Sequence, residues 1–478
     1  MKERLPRRAF LKSAALTAAG PLLAENLLAD VSDSGAVSAD VSADQNSVPF
    51  SNAIPYSEPA EGKRWFRGNT HMHSFRSDGR AFPDEAAALY RRLGYHFVVL
   101  TDHNSTHEDP DRWVQVGTRN LTPEILARLE KNFPELMPEK RLNGDGVPSY
   151  RLRTFDQMSE KLNESGRFLL ISGNEASVPS QNGDDLHCNL INTRSGCRVQ
   201  SLASTSENLD WMVRLRDELL RKNPSEALFT VNHPLWKFFD VDPMDLVRQS
   251  SIRFFEVANV EARPLFPVPP EAWTHDGFWD VVNAFRAMKG QPLLYGVASD
   301  DTHDYEMFYA KPQFIGYSMV LSETLTIPDL MRAFHSGNFY ASTGLTLQAV
   351  RFDADSRTLS VEVLPEAGFE YSIQFIGTKR GFDPTVQRVI EHQAEGEIPP
   401  WLLKSGFRPK RRLPVYSSEI GCVFQETHGP SASFRMADDD LYVRAKIFTQ
   451  KATQTEDEHP STPIAWTQPI PGPAFGNG

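Results

Sequence analysis

"GNTHMHSFRSDGRAFPDEAAALYRRLGYHFVVLTDHN", residues 68–104, decides how this chain is read. It holds four of the thirteen histidines, three of them in two short clusters, His71-Met72-His73 and Asp102-His103. Each cluster closes a run of strand character. Side chains alternate along a strand, so His71 and His73 point to the same side. Two imidazoles on one side are a ready pair of nitrogen ligands for a divalent metal. Asp78 follows in "SDG", a tight turn that can return a carboxylate to the same place.

Working outward, the pattern recurs. "RWFRGNTHMH", "HFVVLTDHN", "RFLLISGNE", "ALFTVNHP", "RFFEVANVE" and "PLLYGVASDDTH" begin apolar and finish with side chains able to bind a metal or a hydrogen-bond partner. They bring Glu175, His233, Asp301 and His303, and "DLHCN" adds His187. A lone histidine is more often a satisfied hydrogen-bonding residue than a ligand, and one His-x-His arises readily by chance. Nine ligand-type residues at strand ends are hard to explain that way. Helical stretches separate the runs. "FPDEAAALYRRLG" has Pro83 early and Gly94 just past its end, and "TIPDLMRAFHSG" repeats the device with Pro328 and Gly337. Alternation of this kind is the α/β pattern, and in parallel barrels the carboxyl ends of the strands share one mouth. Residues 105–150 interrupt the rhythm as a largely polar insertion with one helix near "TPEILARLEKNF".

The flanks differ in character. "LPRRAFLKSAALTAAGPLLA" resembles a twin-arginine export signal through Arg7-Arg8 and Phe10-Leu11-Lys12. Its apolar stretch is too short and mild for a membrane span. Residues 1–29 are therefore expected to be the signal, with the export machinery as the precursor's partner and a periplasmic or extracellular destination. Residues 30–62, rich in Ser, Ala, Asp and Pro, read as a flexible tether. The region 63–345 reads as the catalytic domain. Beyond it, 346–478 alternates as strands do and reads as a small β-sandwich, with "PPWLLKSGFRPKRRLP" an exposed loop whose Lys410, Arg411 and Arg412 are solvated. A net charge of −12 argues against a polyanion-binding surface, and three cysteines make no disulfide framework.

The motifs HMH(x4)D, TDHN, GNE, a lone His, NHP and DTH resemble those of the PHP (polymerase and histidinol phosphatase) domain over roughly residues 65–345. The likeness is nearest to the CehA/McbA-type metallohydrolases, since "GNFYASTG" and "AWTQPI" are similar too. The resemblance implies a distorted (β/α)7 barrel with two or three divalent ions at its mouth. One ion would take His71, His73, Glu175 and Asp301; a second would share Glu175 and add His187 and His233; a third would take Asp78, His103 and His303. His187 departs from the expected glycine-containing turn, being followed by "CNL". Asp300 competes with Asp301, and the D-x-H spacing favours Asp301. Mixed imidazole and carboxylate ligands suit Zn²⁺, Mn²⁺ or Fe²⁺ without choosing among them.

Among neighbours of these motifs, Asp102 is a candidate to orient a ligand imidazole, with turn capping as the alternative. Arg76 is a candidate for an anionic substrate group and His107 for proton donation. Asn104, Asn259, Lys237, Arg263 and Tyr340 lie near motif ends and are candidates to face the mouth. His96 reads as structural, and Cys188 as buried. The implied reaction is hydrolysis of a small-molecule phosphate ester by a metal-bridging hydroxide. Hydrolysis of an ester, amide or carbamate by the same centre is the main rival, and a non-catalytic binding protein the lesser one. Nucleic acid is not favoured as a substrate for an acidic chain of this kind.

Overall fold

The computed structural model describes residues 53–118, 121–197, 199–220, 227–310, 316–449 and 463–477. The export-signal stretch and the tether to residue 52 lie outside the described residues. No described helix is long and apolar enough to cross a membrane.

The first twelve strands are β1 (Arg64–Asn69), β2 (Phe97–Leu100), β3 (Trp113–Gln115), β4 (Lys140–Leu142), β5 (Pro148–Arg151), β6 (Leu169–Pro179), β7 (Asp185–Ile191), β8 (Leu228–Val231), β9 (Phe254–Asn259), β10 (Tyr295–Ser299), β11 (Tyr317–Ser322) and β12 (Phe339–Ser342). Then come β13 (Leu347–Asp353), β14 (Thr358–Val363), β15 (Tyr371–Lys379), β16 (Arg388–Gln393), β17 (Lys410–Val415), β18 (Cys422–His428), β19 (Ser431–Arg435), β20 (Asp440–Thr449) and β21 (Ile464–Thr467). One large sheet runs β10-β9-β8-β7-β6-β2-β1-β11-β12-β21-β20-β15-β18.

The α/β reading stands; the distorted (β/α)7 barrel does not close among the described residues. The pairs β1–β2, β2–β6, β8–β9 and β9–β10 are parallel. Strand β7 runs antiparallel to both β6 and β8, as the return arm of a tight hairpin. Strand β11 runs antiparallel to β1. Between β10 and β1 there is no ladder among the described residues, only the isolated parallel bridge Met72–Thr302 just past the strand ends. The sheet thus curls until its two parts touch at the site without zipping shut.

Helices cover the curled part. Pro83–Arg92 and Ile327–His335 form where the proline-early, glycine-late signals place them, and Gly94 and Gly337 adopt the left-handed conformation past each end. The insertion is richer than a lone helix: besides Pro123–Asn132 it holds the small sheet β3-β5-β4. Those strands are three or four residues long, too short to show alternation.

Past residue 345, β15, β18, β20 and β21 extend the large sheet itself, with Tyr340 and Thr467 opposite one another in the β12–β21 pair. A second layer, β13-β14-β19, packs on them through Val350, Phe352, Leu359 and Val361 against Ile373, Phe375, Val443 and Ile447. One of the two layers is therefore a continuation of the large sheet, and the other packs on it. Two further expectations need correcting. The tether ends before residue 62, because Tyr56 is buried, its backbone N–H donates to Asn338 Oδ1 and its hydroxyl accepts from Gln468 N. The "exposed loop" is docked: Leu402, Phe407 and Leu413 are buried, and Arg411 pairs with Asp184. Apolar residues alternating with the charges drive that docking, a pattern the run of basic residues masked.

Candidate metal centre

All nine ligand-type residues come to one place. Past the end of β1 the chain stays extended, so Met72 enters the core while His71 and His73 turn the other way, their Nε2 atoms 3.2 Å apart. The following turn folds tightly back. A Cβ on Gly79 would lie 2.4 Å from the His73 carbonyl carbon, so only glycine fits, and the turn brings Asp78 beneath His73. His103 lies past the end of β2, bridged to Glu175 of β6. His187 arrives from the start of β7. Because β7 is reversed, its first residues meet the last of β6, and His187 Nδ1 sits 3.1 Å from Glu175 Oε1. His233, Asp301 and His303 follow β8 and β10, and the first two hold positive φ values of 23° and 55°. Such backbone conformations cost energy in residues with side chains and concentrate at functional sites.

Three overlapping groups result, the ligand atoms of each lying within 4.8 Å of one another: His71, His73 and Asp301; His103, Glu175 and His187; and His73, Asp78, His103 and His303. Asp301 Oδ1 is 3.0 Å from Nε2 of both His71 and His73. His233 Nε2 approaches Glu175 Oε1 at 3.4 Å. His303 Nε2 and His103 Nε2 stand 3.4 Å and 3.6 Å from the oxygens of Asp78. His71, His73, Glu175, His187, His233 and Asp301 are buried, whereas Asp78, His103 and His303 are partly exposed. The third group therefore lies nearer the opening.

The electrostatics fit a cation. Asp78 Oδ1, Glu175 Oε2 and Asp301 Oδ1 are buried and accept no well-aligned hydrogen bond, although imidazole nitrogens crowd them, His103 Nδ1 at 2.7 Å from Glu175 Oε2 among them. A buried carboxylate oxygen without an aligned donor is costly unless a cation satisfies it. Burial, His303 and His103 push His73 down to about 4, the neutral form that ligates. Burial also opposes charge on His71, yet Asp301, Glu175 and Glu256 hold it well above its ordinary value. His187, likewise against burial, is carried up to about 10 by Glu175 and Asp185. The pocket is thus an excess of negative charge that only cations, protons or metals, can balance.

The neighbouring candidates divide. Asp102 touches no ligand ring. Its carboxylate accepts from Ser74 N and Oγ at 2.7 Å each, and from Ser77 N at 3.0 Å and Oγ at 2.6 Å. It clamps the turn carrying Asp78 and reaches His73 only through Ser77 Oγ, 3.3 Å from Nδ1. His107 is fully buried behind it, Nε2 2.9 Å from Asp102 Oδ2, so it cannot donate protons at the mouth. Arg76 is also turned away, donating to the carbonyls of Asp109 and Arg153. Arg76 leaves its turn toward the insertion and His107 belongs to the insertion itself, which spacing alone does not reveal. Asn104 exchanges hydrogen bonds with the Ser177 backbone, Arg263 is exposed and bonded to the Val260 carbonyl, and Tyr340 is buried between the C-terminal layers. Asn259 does reach the site, donating to Glu256 and Asp301, and Lys237 lies at its rim beside Asp185. His96 accepts from Arg67 N and Cys188 is buried, as expected. Asp300 is engaged elsewhere, by Gly316 N and Tyr90, which leaves Asp301 facing the cluster.

Three carboxylates escaped the sequence reading. Glu256 Oε1 is 2.8 Å from His71 Nδ1, and its Oε2 accepts from His233 N. Glu261 accepts from His303 N and lies 3.3 Å from its Nδ1. Asp185 Oδ1 is 3.5 Å from His187 Nε2. Each supports a ligand imidazole from behind or beside it, as metal-site partners do. A charge inside the apolar "FFEVAN" was the available signal for Glu256.

No family model matches the chain, and no curated protein is similar enough to count as a match. Among solved structures, the chain is similar to a two-domain protein from Bacteroides vulgatus containing a predicted PHP-like metal-dependent phosphoesterase. The identity is 14% and the TM-score 0.38, covering 83% of this chain and 93% of that one. It is also similar, at 12% identity and a TM-score of 0.26, to a protein from Bifidobacterium adolescentis whose metal-dependent phosphoesterase activity is likewise a prediction. That alignment covers 49% of this chain and 87% of the other.

Proposed function

We propose that the chain is a metal-dependent phosphoesterase of PHP type acting on a small molecule. One observation carries the reading: six imidazoles and three carboxylates converge from six stretches of the chain, with three buried carboxylate oxygens that accept no well-aligned hydrogen bond. His71, His73, Glu175 and Asp301 would hold one ion, Glu175 with His187 and His233 a second, and Asp78, His103 and His303 a third. Divalent ions held this close acidify a water and neutralise charge developing on a phosphoryl group. The chain's own residues hold the geometry. Glu256 fixes the ring of His71 through Nδ1, and the Asp301 carbonyl, with Glu261 beside it, does so for His303, leaving Nε2 for the ion. Asp102 fixes the turn beneath Asp78. The twin-arginine-like start supports export, a route that carries proteins already folded and so suits a metal site assembled beforehand.

Elemental analysis of the purified protein, with p-nitrophenyl phosphate assayed beside p-nitrophenyl acetate, tests the reading. Two or three ions per chain, and phosphatase activity lost in His71→Ala, are expected. Absence of stoichiometric metal, or turnover of the carboxylic ester alone, would overturn it.

A further inference from the structure

The rim beside His187 and His233 is aromatic, and part of it comes from the far end of the chain. Trp236, three residues after His233, packs on both imidazoles, with ring centroids 5.5 Å from His187 and 5.3 Å from His233. Trp401, on the short helix Pro400–Lys404, lies nearly parallel to Trp236, centroids 6.2 Å apart and planes at 22°. Both indoles remain partly exposed. Lys237 Nζ stands 5.4 Å and 5.7 Å from the two ring centroids while pairing with Asp185. A cation over indole faces holds them in orientation.

This pair is firmly mounted. Leu402 anchors the helix in the core. The hairpin of β16 and β17 ties back to the turn after β8, where Arg411 Nε donates to the Phe238 carbonyl and its other end pairs with Asp184. His392 Nε2 is 3.1 Å from the Pro267 carbonyl. Trp401 Nε1 is buried and has no hydrogen-bond partner.

We infer that Trp236 and Trp401 form a platform for a planar aromatic group of the substrate, so that the ester hydrolysed is an aryl phosphate. The inference rests on the phosphoesterase reading for the charged head. The metal ligands and the platform share His187 and His233 as a border, so one small molecule can span both: head on the ions, ring on the indoles. A flat apolar ring gains from stacking, whereas an alkyl chain of few atoms covers little of the surface.

Two non-hydrolysable anions with the same head separate these contributions. Binding of phenylphosphonate and methylphosphonate to the metal-loaded full chain is measured by titration calorimetry. Wild type is expected to bind the phenyl compound roughly two- to tenfold more tightly. Trp401→Ala abolishes that preference and Trp401→Phe keeps most of it, with metal content unchanged. Equal affinities in wild type, or a preference that survives Trp401→Ala, overturn the platform while the phosphoesterase reading stands. Failure of both anions to bind overturns both. If Trp401→Ala melts early, Trp401→Leu, which keeps apolar bulk without a flat ring, carries the same comparison.

Discussion

Glu256 shows how a single side chain ties the fold to the site. It is a fully buried acid in an apolar strand, a position that costs free energy unless every oxygen is occupied. Its Oε1 meets His71 Nδ1 and the Ser299 hydroxyl, and its Oε2 accepts from His233 N and Asn259 Nδ2. It therefore sets the ring of one proposed ligand and the strained backbone of another. Glu256→Gln keeps the shape but weakens the acceptor behind His71, and metal affinity should fall about 10- to 100-fold, the usual effect of losing such a partner. Competition with a chromophoric chelator measures it; unchanged affinity would remove Glu256 from the metal centre. His107 makes the opposite prediction. Its imidazole is sealed behind Asp102, so His107→Gln should lower the melting temperature and leave the shape of the pH–rate profile as in wild type. Loss of one limb of that profile would restore His107 as a proton donor.

At the scale of elements, strand ends were legible because most runs share one direction, apolar first and polar last. "DLHCNLI" reads the other way, polar first, and that reversal is the mark of the antiparallel β7. Spacing delivered His187 to the cluster; only the polarity of the run could have given its direction. The joint between helix His275–Met288 and β20 was illegible, since it pairs residues far apart in the sequence. There, fully buried Arg444 donates to both oxygens of Asp280, at 2.9 Å and 2.6 Å, and reaches Asp276 at 3.0 Å. Asp280→Ala leaves the buried guanidinium with Asp276 as its remaining carboxylate and should cost about 3 kcal/mol, read by urea unfolding. Asp276 gives the pH dependence. Burial works against its ionisation, but Arg444 and Lys446 overcome this and hold the carboxyl below its ordinary value of 3.8. A depressed acid contributes stability above its unfolded pKa and loses it as pH falls through the folded one. The stability gap between wild type and Asp276→Asn should thus be full at pH 7 and shrink below about pH 4. A gap that is constant with pH would mean the carboxylate's charge contributes nothing.

Across the whole molecule, the C-terminal strands were legible as strands but not as continuations of the large sheet, because alternation reports which face is buried and not which neighbour pairs. The shared sheet ties the stability of the C-terminal part to that of the curled part, while the proposed metal centre belongs to the latter alone. That separation yields a prediction about metal. Without ions, crowded imidazoles and the poorly satisfied buried oxygens of Asp78, Glu175 and Asp301 burden the folded state. An ion that binds the folded chain and not the unfolded one stabilises it by about 2.7 kcal/mol at a hundredfold excess over Kd. Calorimetric melting in a chelator, and then in rising Zn²⁺ or Mn²⁺, should show a transition that climbs with the logarithm of metal concentration. In Asp301→Ala the climb should be much reduced, since the group of His71 and His73 loses its carboxylate oxygen. Asp280→Ala should instead melt lower in both conditions while keeping the full climb, because its damage lies at the joint and not at the centre. Equal climbs in wild type and Asp301→Ala would place the bound ions elsewhere on the surface and remove the physical ground for a metal centre here.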